Sequence, residues 1–429
     1  MQKELKGIAI NALYMYMVQG LNILLPILVL PYLLKTLSVE SFGVYSFVFA
    51  FSQFVILFVD FGFNISATKK IAENCENHNL VRETFWNIIF IKWMLSIISL
   101  LPVGILMAFV PKIGVYTEGI FYSYIMVFGN VFFPLWWFQG MNKMKPLGMI
   151  SAVSKILTYP LIFVFVKENT DYLSAIVIQS ISLCLSGVLA FFYIYNNDKA
   201  YFSNIKIARK VSVYKEEIKE AVPIFLSNST ISLYTNSLTL MLGVFSTNYN
   251  VGLFGAMEKI VRVICFGIFS PINQVCFPVI AQMKRDNLQK AKKIFYLILG
   301  ITFGVLSLSY ITFLLAEDYI ITHFLEGYKG IDTMLKIFML MIFPIALGGI
   351  FGQLGLLGLG GEREKKIFSR IYIYIGLLSV PFSLFCIKYY ELWGTIWAMM
   401  VVEVLIFLMM FFYFLCISLR GEYNLIKEK

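Results

Sequence analysis

Apolar stretches long enough to cross a bilayer recur from one end of this 429-residue chain to the other, with no long polar block between them. A spanning helix needs about 20 predominantly apolar residues. The stretches fall at 8–34, 43–65, 86–110, 119–141, 148–166, 173–195, 221–243, 251–281, 294–316, 332–357, 367–387 and 394–417. Only 14% of residues are charged and mean hydropathy is +0.79, whereas a soluble domain carries about a quarter charged residues. Lipid must therefore solvate much of the surface. In lipid every backbone polar group is satisfied internally, so each stretch is read as a helix. A barrel needs short alternating segments, and these runs are too long and too uniformly apolar. The expected fold class is an all-α integral membrane protein of about twelve transmembrane helices.

Lysine and arginine alternate between the two sides of this layout. Lys35, Lys112, Lys167, Lys329 and Lys388 are alone on one side, while 25 of the 35 bases fall in the termini and loops of the other. Short basic loops stay in the cytoplasm, which predicts cytoplasmic N and C termini. A faint internal repeat accompanies the alternation. Leu33, Phe42, Gly43 and Tyr45 have approximate counterparts in Leu242, Gly252, Leu253 and Phe254, and Pro134 matches Pro344 at an offset of 210. Each half then holds six helices, so the two six-helix bundles are expected to relate by a pseudo-two-fold axis along the membrane normal. The expected division is 1–210 and 211–429, with the basic loop around 196–217 as hinge.

Five bases remain inside the spans: Lys92, Lys155, Lys259, Arg262 and Lys336. Lys336 is near enough to its span's start to snorkel. The other four lie deeper, together with Asp60, Glu258 and Glu403. A charge at mid-helix costs roughly 2.5–3.5 kcal/mol on insertion scales, so it normally faces a partner or a wet cavity. Lys92, Lys155, Lys259 and Arg262 are therefore candidate binding groups for an anionic head group in a hydrated central cavity, with Asp60, Glu258 and Glu403 as coupling or charge-balancing groups. Each has a plainer alternative. Lys92 is about two turns from the cytoplasmic end and can snorkel, and Asp60 can cap its helix or pair with Lys69 or Lys70. Glu258 and Arg262, spaced i,i+4, can neutralise each other. Glu403 has no partner nearby in sequence, which makes it the best coupling carboxylate. Pro26, Pro31, Pro134 and Pro344 interrupt spans, either bending them around a site or simply kinking them. Gly348, Gly349, Gly352, Gly355 and Gly358 give the tenth span the small-residue spacing of close helix packing.

Several activities are excluded or disfavoured. The net charge of +10 sits in short loops between apolar spans, which argues against a nucleic-acid partner. No G-x-x-x-x-G-K-[ST] loop occurs, so ATP hydrolysis within the chain is not expected. The two histidines, His78 and His323, are too few and too scattered for a metal site or a catalytic pair. The six cysteines show no metal spacing and all but Cys75 fall in apolar stretches, so they read as small apolar fillers. No cofactor, metal or catalytic residue is expected. Lys3 and Lys6 precede an apolar run too long for a cleavable signal.

Particular runs are familiar. Gln19–Gly–Leu–Asn22, Leu30–Pro31–Tyr32–Leu33 and Phe42–Gly43–Val–Tyr45 resemble the opening of Wzx-type O-antigen flippases, the polysaccharide-biosynthesis branch of the multidrug/oligosaccharidyl-lipid/polysaccharide exporter superfamily. Asp60–Phe–Gly–Phe–Asn64 with Ser66 to Ala72, and Pro134–Leu–Trp136–Trp–Phe138–Gln139–Gly140, are similar to that family's second and fourth helices. Pro223, Phe225, Leu242–Gly243, Val251–Gly252, Pro271 and Pro278 resemble its seventh and eighth. The likeness spans the chain and is strongest over 10–145. It implies a multi-pass inner-membrane flippase that moves undecaprenyl-pyrophosphate-linked oligosaccharide to the periplasmic leaflet by alternating access. The implied partners are that lipid-linked substrate, membrane lipids, and a polysaccharide polymerase with its chain-length regulator. Two other readings stand beside it: a cation-coupled multidrug exporter of the same fold, which needs acidic cavity groups, and a membrane polysaccharide polymerase, which needs a larger external loop than the one near 317–331.

Overall fold

The structure is a computed structural model that describes residues 24–203, 205, 207 and 210–427. The start of the first expected span, Lys3, Lys6, the Gln19 to Asn22 motif, Lys206, Arg209 and Lys429 lie outside the described residues. Among the described residues every regular element is helical. Nine helical stretches there are long and apolar enough to cross a membrane.

Two compact units divide at Ser229 and Thr230. The first holds α1 (Leu24–Thr36), α2 (Val39–Asp60), α3 (Phe63–Glu73), α4 (His78–Phe109), α5 (Thr117–Val131) and α6 (Leu135–Gly140). It continues through α7 (Met144–Thr158), α8 (Pro160–Phe165), α9 (Tyr172–Asn197) and the short α10 (Ala200–Ser203). Helix α11 (Val211–Phe245) crosses the division. It is the polar member of the set: Ser227, Asn228, Thr230, Ser232, Thr235, Asn236, Ser237 and Thr239 keep it out of the nine apolar stretches. The second unit adds α12 (Asn248–Asp286), α13 (Leu288–Phe324), α14 (Ile331–Met339), α15 (Ile342–Ile350), a π-helical segment Phe351–Leu359, and α16 (Glu362–Lys427). Helix α16 is two helices joined at Glu391, whose backbone (φ 45°, ψ −116°) is not helical.

In the first unit α5 packs on α9 and α3 on α6. The contacts are close because glycine leaves room. A Cβ on Gly129 would sit 2.7 Å from the Cys184 backbone nitrogen, and one on Gly140 would sit 2.7 Å from the Ile71 side chain. An aromatic core of Phe85, Trp136, Trp137, Phe138 and Tyr201 holds α4, α6 and α10 together. Both indoles that reach Tyr201 are satisfied there: Trp86 Nε1 donates to its carbonyl at 2.7 Å and Trp137 Nε1 to its hydroxyl at 3.0 Å. In the second unit the glycine row of the tenth span does what its spacing implied. A Cβ on Gly349 would meet the Phe269 ring at 2.6 Å, one on Gly352 the Phe368 ring at 2.8 Å, and one on Gly355 the Phe414 ring at 2.8 Å.

Candidate functional site

Two clusters of charge are built on apolar helices, one in each unit. The first starts from a proline. Pro134 has no N–H, so the carbonyl four residues earlier, that of Asn130, loses its helical partner. Helix α5 stops at Val131 and α6 begins at Leu135. The Lys92 ammonium on α4 donates to the Asn130 carbonyl at 2.8 Å, beside the Phe133 N–H that the same carbonyl accepts at 3.3 Å. The same ammonium pairs with Asp60 Oδ1 at 2.8 Å, and Lys92 is only 1% exposed. Asp60 also accepts from Asn130 Nδ2 at 2.8 Å and from Asn64 Nδ2 at 3.0 Å. Four helices thus meet on one carboxylate. The sequence reading offered Lys69, Lys70 or a cap as partners for Asp60; its partner is Lys92. Lys70 instead reaches Glu217 on α11 at 2.6 Å, and Glu217 is buried.

The turn between α2 and α3 aims Asp60 and Asn64 at this point. Phe61 and Gly62 both adopt positive φ, 44° and 83°. A Cβ on Gly62 would lie 2.9 Å from Ala221 O and Phe225 N of α11, so both the conformation and the contact require glycine. Phe61 stacks on Phe225 with ring centroids 4.4 Å apart. Thr68 Oγ1 lies 3.2 Å from the Trp136 carbonyl and 3.3 Å from Gln139 Oε1, tying α3 to α6. The two motifs that carry the resemblance, around Asp60 and around Pro134, are therefore one structural assembly. Asn64 and Asn130 both bond Asp60; the first stood in a quoted motif without a role and the second went unmarked, because neutral amides inside a membrane span carry no charge signal.

The second cluster lies on α11, α12 and α16. Arg262 Nε donates to Glu258 Oε1 at 2.8 Å, the i,i+4 pair foreseen from spacing. Thr239 Oγ1 lies 3.3 Å from Glu258 Oε2. Arg262 Nη2 is buried without a hydrogen-bond partner. Glu403, 8% exposed, lies within electrostatic reach of Arg262. Tyr234 and Tyr372 stack beside Glu403, their rings 6.2 Å apart. Lys259, next in sequence to Glu258, senses that carboxylate's charge. Lys155 is half-buried on α7, in the first unit and outside the Asp60 cluster. Lys336 pairs with Glu317 at 2.9 Å.

A family model described as "Polysaccharide biosynthesis protein" matches residues 8–284. The chain belongs to that family. The matched stretch takes in Asp60, Lys92, Lys155, Glu258, Lys259 and Arg262, and stops short of Glu403. Two relatives bear the name "Putative O-antigen transporter". The one from Escherichia coli K12 is 31% identical, with 86% of this chain and 88% of that protein aligned. The one from Shigella dysenteriae is 29% identical, with 93% and 98% aligned. Among solved structures, an inward-facing multidrug resistance MATE family transporter of the MOP superfamily superposes with a TM-score of 0.69 at 14% identity, covering 96% of this chain and 95% of its own. The lipid II flippase MurJ in an inward closed conformation gives 0.67 at 13% identity, covering 97% and 92%. At such identities these likenesses define the fold alone, the all-helical one that those two structures share.

Proposed function

We propose that the protein is a flippase that carries an undecaprenyl-pyrophosphate-linked oligosaccharide, the repeat unit of an O-antigen or related surface polysaccharide, across the cell inner membrane by alternating access. The observation that carries this reading is the likeness, over nearly the whole chain, to two enterobacterial proteins named as O-antigen transporters. The physical task is to move a pyrophosphate and several sugars through hydrocarbon. Lys155, Lys259 and Arg262 are the receiving cations, and the second face of the Arg262 guanidinium suits a phosphate oxygen. Lys92 is held by Asp60 in this conformation and meets the passenger only when that pair opens. Asp60, Glu258 and Glu403 balance these charges, and Glu403 is the proposed coupling carboxylate.

In the same reading the chain crosses the membrane twelve times with both termini cytoplasmic: the nine apolar stretches, the extra crossing made by α16 turning at Glu391, and α1 and α11. The two halves, 1–210 and 211–429, are repeats about an axis along the membrane normal. The loop ties support this. In the first unit Ser38 N donates to the Asn169 carbonyl at 3.1 Å and Tyr32 to the Val166 carbonyl at 2.6 Å. In the second, Ser246 and Asn250 donate to Glu391 at 2.6 and 2.9 Å. In both, the link after a half's first helix is bound to the link before its last. The polymerase and the chain-length regulator are the proposed downstream partners.

Lipid extracts of a deletion strain test the reading. Undecaprenyl-linked repeat units should accumulate on the inner leaflet, surface polysaccharide should vanish, and the wild-type gene should restore it. Charge reversal of Lys155 and Arg262 together should fail to restore it while protein levels in the membrane stay normal. Unchanged lipids with altered drug susceptibility would instead select the multidrug exporter, and single repeat units on the surface would select the polymerase.

A further inference from the structure

Helices α7 and α9 leave between them a groove of about 440 Å³ in the first unit. Its walls are apolar, with Met149 and Val153 on one side and Leu189 and Phe192 on the other. Phe192 is 62% exposed and Met149 49%, so the groove opens outward from the unit. On a spanning pair of helices such a face meets acyl chains. One end of the groove is different in kind. Lys145 stands there with Asn196 and Asn197. That end is also the start of α7, where Lys143 provides no side-chain cap and Pro146 has no N–H. The positive end of a helix dipole favours a phosphate. The Lys143 ammonium, over the Trp137 ring at 4.9 Å, adds to the positive field. Helix α9 ends at the same place with opposite polarity, but Asn197 Nδ2 occupies the Tyr193 carbonyl at 2.8 Å, and the Asp198 carboxylate accepts the Ala200 N–H at 3.0 Å.

We propose that this groove is a binding site for one anionic glycerophospholipid, its phosphate at the Lys145 end and one acyl chain laid between α7 and α9. The dimensions fit. From Lys145 to Val153 is eight helical residues, about 12 Å at 1.5 Å each. The groove, about 440 Å³ and open along its side, takes the first part of one acyl chain, the rest lying in the surrounding lipid. The lipid comes from the leaflet at which Lys143 and Lys145 lie, and the site stands whether or not the chain is a flippase.

Native mass spectrometry of the purified full-length protein, titrated with phosphatidylglycerol or with phosphatidylcholine of equal chain length, tests it. One phosphatidylglycerol should bind in preference by about fivefold, the worth of one lysine near a charged surface. Lys145→Glu should abolish the preference without changing the melting temperature. Val153→Phe with Met149→Phe, which fills the groove, should weaken both lipids while Lys145 remains. Competing inorganic phosphate should displace neither. Equal retention of both lipids by wild type and variants would mean ordinary annular lipid, and would overturn the proposal. Surface polysaccharide measured in the same variants reports on the flippase reading separately.

Discussion

Asp60→Ala should be among the most damaging single changes in the first unit. It strands a lysine that is 1% exposed beside a carboxylate site now empty of charge. Two unit charges 2.8 Å apart attract by about 6 kcal/mol at an effective dielectric near 20. Desolvation offsets much of this, and loss of one partner of a buried pair costs about 3–5 kcal/mol net. Lys92→Met should cost less, because Asp60 keeps two amide donors and is 18% exposed. Its remaining cost is one hydrogen bond to the Asn130 carbonyl, which keeps the Phe133 N–H at 3.3 Å but, because of Pro134, has no donor four residues on. Pro134→Ala supplies that missing N–H. In the Pro134→Ala background the penalty of Lys92→Met should therefore shrink, by at most about 1 kcal/mol, the net worth of one hydrogen bond. Thermal unfolding of the four proteins in detergent, followed by size-exclusion fluorescence, gives the cycle. A coupling indistinguishable from zero would refute the proline argument, and an Asp60→Ala cost below about 1 kcal/mol would refute the pairing.

At the other end of α3, Lys70→Met should destabilise more than Glu217→Gln, since the former leaves a buried carboxylate alone and the latter a lysine that is 27% exposed. Burial raises the Glu217 carboxyl above the usual glutamate range, against the pull of Lys70. A raised carboxyl favours the fold while protonated and loses that contribution as pH rises, so the Lys70→Met protein should regain melting temperature between pH 7 and 5 while Glu217→Gln does not. Gly129→Val should lower membrane yield severely, because its side chain meets the α9 backbone rather than a movable group; normal yield would show that α5 and α9 separate freely. Glu258→Gln frees the Arg262 guanidinium, so more lipid-linked substrate should co-purify while surface polysaccharide falls; unchanged occupancy with normal display would remove Arg262 from the site.

The fold was legible because lipid enforces it. Helix positions followed from apolar runs, and the elements lie where the runs do, from α2 over 43–65 to the two limbs of α16 over 367–387 and 394–417. The glycine row of the tenth span was readable as packing because its spacing alone puts small residues on one face. Apart from Glu258 and Arg262, whose i,i+4 spacing announced their pairing, the charges were readable as buried but not as paired. Nothing in sequence links Lys92 to Asp60, 32 positions apart, or Arg262 to Glu403; those meetings depend on which helices pack together. The roles of Asn64, Asn130 and Arg262 Nη2 were invisible for a related reason, since their importance lies in a hydrogen bond made or missing. The π-helical Phe351–Leu359 likewise has no signature beyond its glycines.

Pairing changes what the deep bases mean. A count of cations alone suggests a cavity of strong positive potential, yet Lys92 stands against Asp60, and Arg262 against Glu258. Unpaired charge in hydrocarbon is costly, and a permanently naked cationic pocket would hold a pyrophosphate too tightly to release it. Cations that already have carboxylate partners bind a phosphate by exchange: the entering anion replaces a carboxylate, and the carboxylate returns when the passenger leaves. Each state is then nearly balanced, which a carrier requires more than affinity, because binding both sides of a cycle with similar strength is what keeps it turning. In the proposed cycle Arg262, whose Nη2 is buried without a hydrogen-bond partner while Nε holds Glu258, is the place where such an exchange would need the least rearrangement.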